Sequence, residues 1–380
     1  MMRRDFLIGA TATPLAARSA GIPARSSLDA FIDGYAREHD FSGTILVRQR
    51  GRTRCARSFG LADRAFGVPN AMETHYWIAS ITKAFTAVLI LQLVEQGRVA
   101  LDGTIGACLP DYAGEARDRV TVHQLLNHTS GLENIDRIPN IEDAGESIAA
   151  SLEAARTRGA LPIYQTPYTS DDLLRVFCSG KLVREPGTAF DYNNADYIVL
   201  GKIVERCHGM DYDHAVRMRI MRPLGLVDTG LLRQRDVAPR LARCYSAPPP
   251  PSARPLEHDT PVYPENWYAA GGLYSTAGDV LAFSDALFGG RLIGRDMLGR
   301  MTTPGLDDYG YGVWSRTMRI DGVACRVVTR PGRIMGARAQ LLHMPDAGLT
   351  IVMLANTGAA DLDAFSAAVA RRVAGQHSSA

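Results

Sequence analysis

The chain has 380 residues and a formal net charge of +2; 46% of its residues are hydrophobic and 22% are charged. These proportions are ordinary for a globular protein. No basic run is interleaved with aromatic residues, so nothing points to nucleic acid or an acidic membrane as a partner. The length corresponds to two or three domain-sized units, or to one large catalytic domain that carries an insertion.

The N-terminus has the pattern of an export signal. Arg3 and Arg4 begin the segment RRDFLI, and a short, weakly apolar stretch continues to Ala17. This pattern predicts a twin-arginine signal over residues 1–24, and the alternative is a disordered basic tail. No later apolar run reaches the ~18 residues of a membrane span. We therefore expect a mature protein that is periplasmic or secreted and has no stable membrane span.

Strand-like patterns lie at both ends of the chain, and helical patterns lie between them. The first part predicts a helix over residues 27–39, a hairpin over 42–60 that turns at Arg50-Gly51, and a helix from Ser80 to Gly97. Further helices are predicted over 170–178, 195–207, 212–221 and 276–288. The last part predicts strands over 323–329, 337–343 and 349–355 and a helix over 361–374. Both ends are expected to share one sheet with helices on its faces.

The start of the long helix places a nucleophile beside an amine. Ser80 begins the helix, where free backbone N–H groups and the positive end of the helix dipole favour developing negative charge. Lys83 follows one turn later on the same face, and desolvation lowers the pKa of a lysine enough for it to act as a base. Only three of the 42 basic residues are lysines, which makes this spacing informative. The alternative is a capping serine beside a solvated lysine.

A second candidate lies on the polar loop before the helix predicted at residue 195. Tyr192 can place its phenol in a cleft, where nearby cations favour the phenolate. Asn194 offers an amide that can hold a substrate carbonyl or orient Lys83. The alternative is an Asx turn and helix cap with a packed tyrosine.

A third candidate follows the strand predicted at residues 323–329. Gly332 lets a substrate approach the strand backbone closely. The backbone N–H of the next residue, Arg333, can join that of Ser80 as an oxyanion hole. The alternative is a basic turn.

Together these three places resemble the serine β-lactamase and penicillin-binding-protein superfamily, particularly its class C β-lactamase-like branch of esterases and peptidases. That family carries Ser-x-x-Lys, then Tyr-x-Asn, then a Lys-Thr-Gly or His-x-Gly strand. Shorter family-like phrases lie at 128–132, 223–226, 270–276, 311–314 and 354–356, so the resemblance covers residues 28–373. It implies an α+β fold: an antiparallel sheet of N- and C-terminal strands, flanked by helices, with a large all-helical insertion. Residues 25–78 and 306–380 would form the sheet subdomain and residues 79–305 the helical subdomain, with the active site at their junction.

The third motif departs from the family pattern. Arg330 stands where the family has lysine or histidine, and Pro331 stands where it has a small hydroxyl residue. Arg330 can still hold a substrate carboxylate bidentately, but arginine cannot shuttle a proton. These changes argue against efficient hydrolysis of β-lactams.

The resemblance implies an exported serine hydrolase that acts through an acyl-enzyme on an ester, a D-amino-acid peptide or amide, or a β-lactam, with no metal or organic cofactor. Ser80 would be the nucleophile, and Lys83 and Tyr192 would share the proton transfers. The substrate would be bound by four further residues: Asn194, Arg330, Gly332 and Arg333. The alternatives are an acyl transferase and a penicillin-binding-like receptor that does not turn over.

Two other kinds of active site are poorly supported. A Ser-His-Asp hydrolase of the Gly-x-Ser-x-Gly type lacks its elbow, and Ser130-Gly131 follows a helix where that elbow requires a strand. Zinc chemistry lacks a His-x-x-x-His pair, and His123 and His128 are five residues apart.

Overall fold

The structure is a computed structural model that describes residues 27–135, 163–164, 166–246 and 256–375. The predicted export signal lies outside these residues. The strands are β1 (Gly43–Gln49), β2 (Arg52–Phe59), β3 (Leu61–Asp63), β4 (Val68–Pro69), β5 (Tyr76–Trp77), β6 (Gly230–Leu231), β7 (Tyr245–Ser246), β8 (Glu257–His258), β9 (Leu273–Ser275), β10 (Trp314–Ile320), β11 (Val323–Ile334), β12 (Ala337–Met344) and β13 (Leu349–Ala355).

The helices lie mainly between β5 and β10. They are α1 (Ser27–Glu38), α2 (Thr82–Glu95), α3 (Ile105–Cys108), α4 (Val122–Leu126), α5 (Ser170–Asp172), α6 (Asn194–His208), α7 (Tyr212–Val216), α8 (Arg222–Leu224), α9 (Tyr268–Gly271), α10 (Ala277–Phe288), α11 (Arg295–Thr302) and α12 (Leu362–Gly375). No helix within the described ranges is both long enough and apolar enough to cross a membrane.

The two ends of the chain share one sheet, as predicted. Its strand order is β10-β11-β12-β13-β1-β2, and β1 pairs antiparallel with both β13 and β2. Leu46 on β1 lies opposite Val352 on β13, and both pack in the core under the helical part. Their neighbours Val47 and Ile351 point to the other face and pack in the core that contains buried side chains of α1 and α12, because successive side chains of a strand alternate between faces. The structure therefore confirms the predicted α+β class.

Three local features differ from the sequence predictions. The insertion is not all-helical, because it contributes β6 and β9 to a small sheet with β5, which precedes it. Strand β10 and helix α11 were not predicted. The six long strands fall within residues 25–78 and 306–380, and the subdomain boundaries themselves stay a prediction.

The third difference concerns β11, which continues to Ile334 instead of ending near Thr329. Its partner β10 pairs with it only as far as the Trp314–Thr329 pair, whereas β12 accompanies it to the end. Residues 330–334 therefore form an edge on one side, where Pro331, which has no N–H group, is tolerated. This edge leaves room for the turn that carries Ser80, which packs against β11.

Candidate active site

Ser80 lies on a single 3-10 turn, Ala79–Ile81, immediately before α2. Ala79 has a positive φ of 46°, which is strained for a residue with a side chain. The turn is held on both sides, because Trp77 Nε1 donates to the carbonyl of Gly271 at 2.6 Å and Thr82 Oγ1 donates to the carbonyl of Ala79 at 2.7 Å. The protein thus maintains an unfavourable backbone conformation next to the predicted nucleophile.

Lys83 is fully buried and directs its amine at the serine. Its Nζ donates to Ser80 Oγ at 3.3 Å, to Asn194 Oδ1 at 2.5 Å and to the carbonyl oxygen of Ala270 at 2.8 Å. Because an ammonium has three donors, these three acceptors fix its position.

The hydroxyl of Tyr192 lies within side-chain hydrogen-bonding reach of both Ser80 and Lys83. The Lys83 amine also lies 4.8 Å from the centre of the Tyr192 ring. Burial alone raises the pKa of this phenol, but the positive charges of Arg330 and Lys83, together with these hydrogen bonds, lower the pKa below its ordinary value. A phenol whose pKa is lowered is able to accept a proton from a neighbouring hydroxyl.

The guanidinium of Arg330 is buried between the serine turn and three aromatic rings, with 1% of the residue exposed. Its Nε donates to the Ser80 carbonyl at 2.6 Å, Nη1 donates to Tyr309 Oη at 3.0 Å, and Nη2 donates to Tyr192 Oη at 2.5 Å. Its central carbon lies 5.2 Å from the centre of the Trp314 ring, which stacks on Tyr192. We refer to Tyr192, Tyr309 and Trp314 as the Arg330 cage.

Gly332 brings the backbone of β11 against the serine turn. A Cβ at this position would lie 2.4 Å from the carbonyl oxygen of Ile78 and 3.2 Å from the amide nitrogen of Ser80, so only glycine fits. The Arg333 side chain forms an ion pair with Asp363 on the protein surface. The predicted contribution of its backbone N–H to an oxyanion hole stays a prediction.

The loop that carries Tyr192 rests on a buried histidine. The backbone carbonyl of His128 accepts a hydrogen bond from the N–H of Asp191 at 2.9 Å, and the N–H of Asn193 donates to His128 Nδ1 at 3.3 Å. The His128 ring lies 4.6 Å from the Tyr192 ring, centre to centre. His128 thereby positions the residues on both sides of the tyrosine.

His128 forms a fully buried pair with Asp196. Nδ1 and Oδ2 are 2.8 Å apart, and Ser130 Oγ donates to the other carboxyl oxygen at 2.5 Å. Burial lowers the pKa of His128 well below its ordinary value and raises the pKa of Asp196 well above its own. Both shifts favour the neutral forms of the pair, which suits a site that already contains the charges of Lys83 and Arg330.

The structure brings together most of the residues that the sequence predicted for the site. They are Ser80, Lys83, Tyr192, Asn194, Arg330 and Gly332. The sequence reasoning missed Tyr309 and Trp314. Trp314 is the first residue of the unpredicted strand β10, and Tyr309 lies shortly before it. The reasoning also missed the role of the Ala270 carbonyl. The phrase at residues 270–276 was the only signal for Ala270. Among the described residues, no cluster of His, Cys, Asp or Glu side chains could hold a metal ion.

A family model described as Beta-lactamase matches residues 28–376. The chain belongs to the beta-lactamase family. Esterase EstB of Burkholderia gladioli is 31% identical to it over 290 residues, which cover 71% of this chain and 71% of EstB. PbpX of Bacillus subtilis, whose name refers to penicillin binding, is 28% identical over 284 residues, which cover 74% of this chain and 64% of PbpX.

Solved structures of the family agree with the fold. A penicillin-binding protein from Bacillus halodurans superposes with a TM-score of 0.73 and 26% identity, covering 91% of this chain and all of the other. The family includes serine hydrolases, and the Ser80, Lys83 and Tyr192 cluster provides this chain with the groups that such chemistry uses.

Proposed function

We propose that this protein is a serine hydrolase that cleaves an ester, a D-amino-acid peptide or amide, or a β-lactam through an acyl-enzyme on Ser80. One observation carries the proposal: the buried amine of Lys83 donates to the Ser80 hydroxyl at 3.3 Å, and both side chains help to lower the pKa of the Tyr192 phenol. A nucleophile with a base beside it, and a third group that orients the base, is the arrangement that covalent catalysis requires.

Tyr192 serves as the base in the first step. As the Ser80 oxygen attacks the substrate carbonyl, its proton moves to the Tyr192 oxygen, whose lowered pKa favours the phenolate. Tyr192 then donates this proton to the leaving group, and the acyl group stays on Ser80. In the second half-reaction, Tyr192 removes a proton from water, the hydroxide formed attacks the acyl-enzyme, and the proton returns to Ser80.

The remaining residues position and stabilise these groups. Asn194 Oδ1 and the Ala270 carbonyl hold the Lys83 amine, which lies beside both reacting oxygens. The backbone N–H groups of Ser80 and Arg333 stabilise the oxyanion, consistent with the close approach of β11 to the serine turn at Gly332.

An ester or a D-peptide is a better substrate than a β-lactam in this proposal. The similarity to an enzyme named as an esterase supports the ester. The replacement of the family's third motif by Arg330-Pro331-Gly332 counts against the β-lactam, because Pro331 offers no hydroxyl to its carboxylate. An acyl transferase would use the same acyl-enzyme with an amine or alcohol in place of water.

Mass spectrometry and kinetics on the purified protein test the proposal. The wild type is expected to hydrolyse p-nitrophenyl acetate and to become acetylated on Ser80 when the reaction is quenched early. Ser80→Ala should lose both activities and keep its thermal midpoint, whereas Ser179→Ala, a hydroxyl removed away from the site, should keep both. Full turnover by Ser80→Ala would refute the assignment. Stable labelling by a fluorescent penicillin without turnover of any ester would favour the receptor.

Export through the twin-arginine route is a separate proposal that rests on the RRDFLI segment alone. The full chain with both Arg3 and Arg4 replaced by lysine should remain in the cytoplasm of a bacterium that has this pathway, whereas the unaltered chain should reach the periplasm or medium. Equal distribution of the two proteins would contradict the proposal.

A further inference from the structure

Arg330 occupies the position that would bind a substrate carboxylate in the family pattern, but its guanidinium is buried. Three donors of the Arg330 guanidinium are bound to Ser80, Tyr192 and Tyr309, and 1% of the residue is exposed. The cage covers it, with Trp314 stacked on Tyr192 and packed edge-on against Tyr309. Because 1% of the residue is exposed, a substrate carboxylate could reach the Arg330 guanidinium only if the cage moved aside.

The neighbouring residues do not replace the lost carboxylate site. Pro331 has neither a hydroxyl nor an N–H group, and the Arg333 guanidinium is paired with Asp363 at the surface. Lys83 is fully buried, and its three donors have acceptors in the protein. Within the described part of the chain, each of the three cations around Ser80 is therefore engaged by protein groups.

Binding a carboxylate at Arg330 would also oppose catalysis. The guanidinium lies 2.5 Å from the Tyr192 oxygen and is one of the two positive charges that favour the phenolate. A substrate anion that drew this charge away would leave Tyr192 a poorer proton acceptor at the moment of attack. A carboxylate bound at Arg330 would therefore compete with Tyr192 for the same positive charge.

We propose that Arg330 is a fixed counter-charge for Tyr192 and that the enzyme prefers esters whose leaving group is uncharged. This inference rests on the proposed function and narrows its substrate class, because β-lactams and peptides that end in a free carboxylate carry their negative charge on the leaving-group side. Arg330 acts through Tyr192 and is a positioning residue, whereas the catalytic residues are Ser80, Lys83 and Tyr192.

A pair of substrates that differ only in this charge tests the preference. 3-Acetoxybenzoate and its methyl ester share the acetyl group and the phenolic leaving oxygen, and only the first carries a carboxylate. For the wild type, kcat/KM for the methyl ester should exceed that for the acid by about tenfold or more, the effect of an anion left without its partner. Equal values, or a preference for the acid, would overturn the inference while leaving the serine hydrolase intact. Hydrolysis of neither ester would instead count against the proposed function.

Variants on β11 test the role of Arg330 itself. Arg330→Lys keeps one positive charge, but its single nitrogen cannot reach the three acceptors that Arg330 binds from three different nitrogens, so kcat for the methyl ester should fall about tenfold. KM should stay within about twofold, because the uncharged substrate does not contact Arg330. The acidic limb of the kcat/KM profile should also move to higher pH. Arg326→Lys, an exposed arginine on the same strand, should match the wild type.

Thermal midpoints of both variants, measured in parallel, show whether they fold. An Arg330→Lys protein that is folded and keeps the wild-type kcat and pH profile would exclude the role of Arg330. If that variant does not fold, the substrate pair in the wild type still decides the preference.

Discussion

Lys83 Nζ lies 2.5 Å from Asn194 Oδ1, and this contact joins the start of α2 to the start of α6. Asn193 precedes Asn194 and caps α6, with its side chain accepting a hydrogen bond from the N–H of Ala195. The helix cap and the lysine contact thus occupy consecutive residues. Two short motifs that are 111 residues apart along the chain are thereby combined in one site.

This contact makes a specific prediction for Lys83. Lys83→Met removes the amine that donates to Ser80 and helps to lower the pKa of Tyr192, and we expect kcat/KM to fall by about 10²–10⁴. Lys83→Arg should be no more active than Lys83→Met, because a guanidinium is larger than an ammonium and stays protonated. Lys181→Met, which removes an exposed lysine, is the control. Steady-state hydrolysis of p-nitrophenyl acetate measures the effect, and an active Lys83→Met would require another group to orient the site.

Tyr192 should determine the acidic limb of the pH profile. Its pKa is lowered, and the deprotonated form accepts the proton, so activity should rise as pH increases through this pKa. In Tyr192→Phe the acidic limb should disappear, and kcat should fall by a factor of about 10²–10⁴. Tyr309→Phe serves for comparison, because burial raises the pKa of Tyr309 and keeps it protonated. It should keep the limb and lose less than about tenfold in kcat. Unchanged pH dependence in Tyr192→Phe would assign the base to another residue.

The sequence was sufficient to predict the helix that follows Ser80 and the sheet that both ends of the chain share. Alternating and helical hydrophobic patterns are local, and so is the capping box of α4, in which Thr121 and Gln124 are three residues apart. The burial of Arg330 could not be predicted, because it depends on Tyr309 and Trp314 packing over it from outside its own strand. Nothing near residue 330 in the sequence indicates that the Arg330 guanidinium donates to the Tyr192 hydroxyl.

The same limit applies to Asp196. In the sequence it is an acidic residue in the first turn of a helix, where a solvent-exposed carboxylate is favoured. In the structure it is fully buried against His128 and Ser130. Only the tertiary packing of α6 against the loop at residues 128–130 reveals this pair.

Gly332 provides a test of the close approach between β11 and the serine turn. The added methyl group of Gly332→Ala would meet the Ile78 carbonyl and the Ser80 amide, so the strand or the turn must move. We expect stability to fall by about 1–3 kcal/mol and activity to fall more than that loss alone explains, because Ser80 is displaced.

Gly299→Ala is the matched control: it lies in α11 with nothing within 4 Å of the new Cβ. It should raise stability by about 0.5–1 kcal/mol and leave activity unchanged. Urea unfolding and ester hydrolysis provide both measurements, and a fully active Gly332→Ala would show that the turn tolerates the shift.

The neutral pair of His128 and Asp196 predicts how stability depends on pH. Because the folded-state pKa of Asp196 is raised above its unfolded value, the folded protein holds a proton that the unfolded chain releases above about pH 4. Stability therefore decreases from about pH 4 toward the folded pKa, by up to about 1.4 kcal/mol per pH unit for this group. Asp196→Asn has no proton to lose, and its amide can donate to His128 and accept from Ser130. Its stability relative to the wild type should rise as pH increases from about 4 to 7.

His128 has the opposite dependence, because its folded-state pKa is depressed and stability falls as pH drops below about 6.5. This loss should be common to the wild type and Asp196→Asn, so it cancels in their difference. Asp196→Ala, in contrast, leaves His128 Nδ1 and the Ser130 hydroxyl without this partner and should cost about 2–4 kcal/mol near pH 4.5. This cost should shrink as pH rises, because alanine also has no proton to lose. Urea unfolding of the three proteins between pH 4.5 and 8 measures these differences. A pH-independent difference between wild type and Asp196→Asn would mean that Asp196 is ionised in the folded protein.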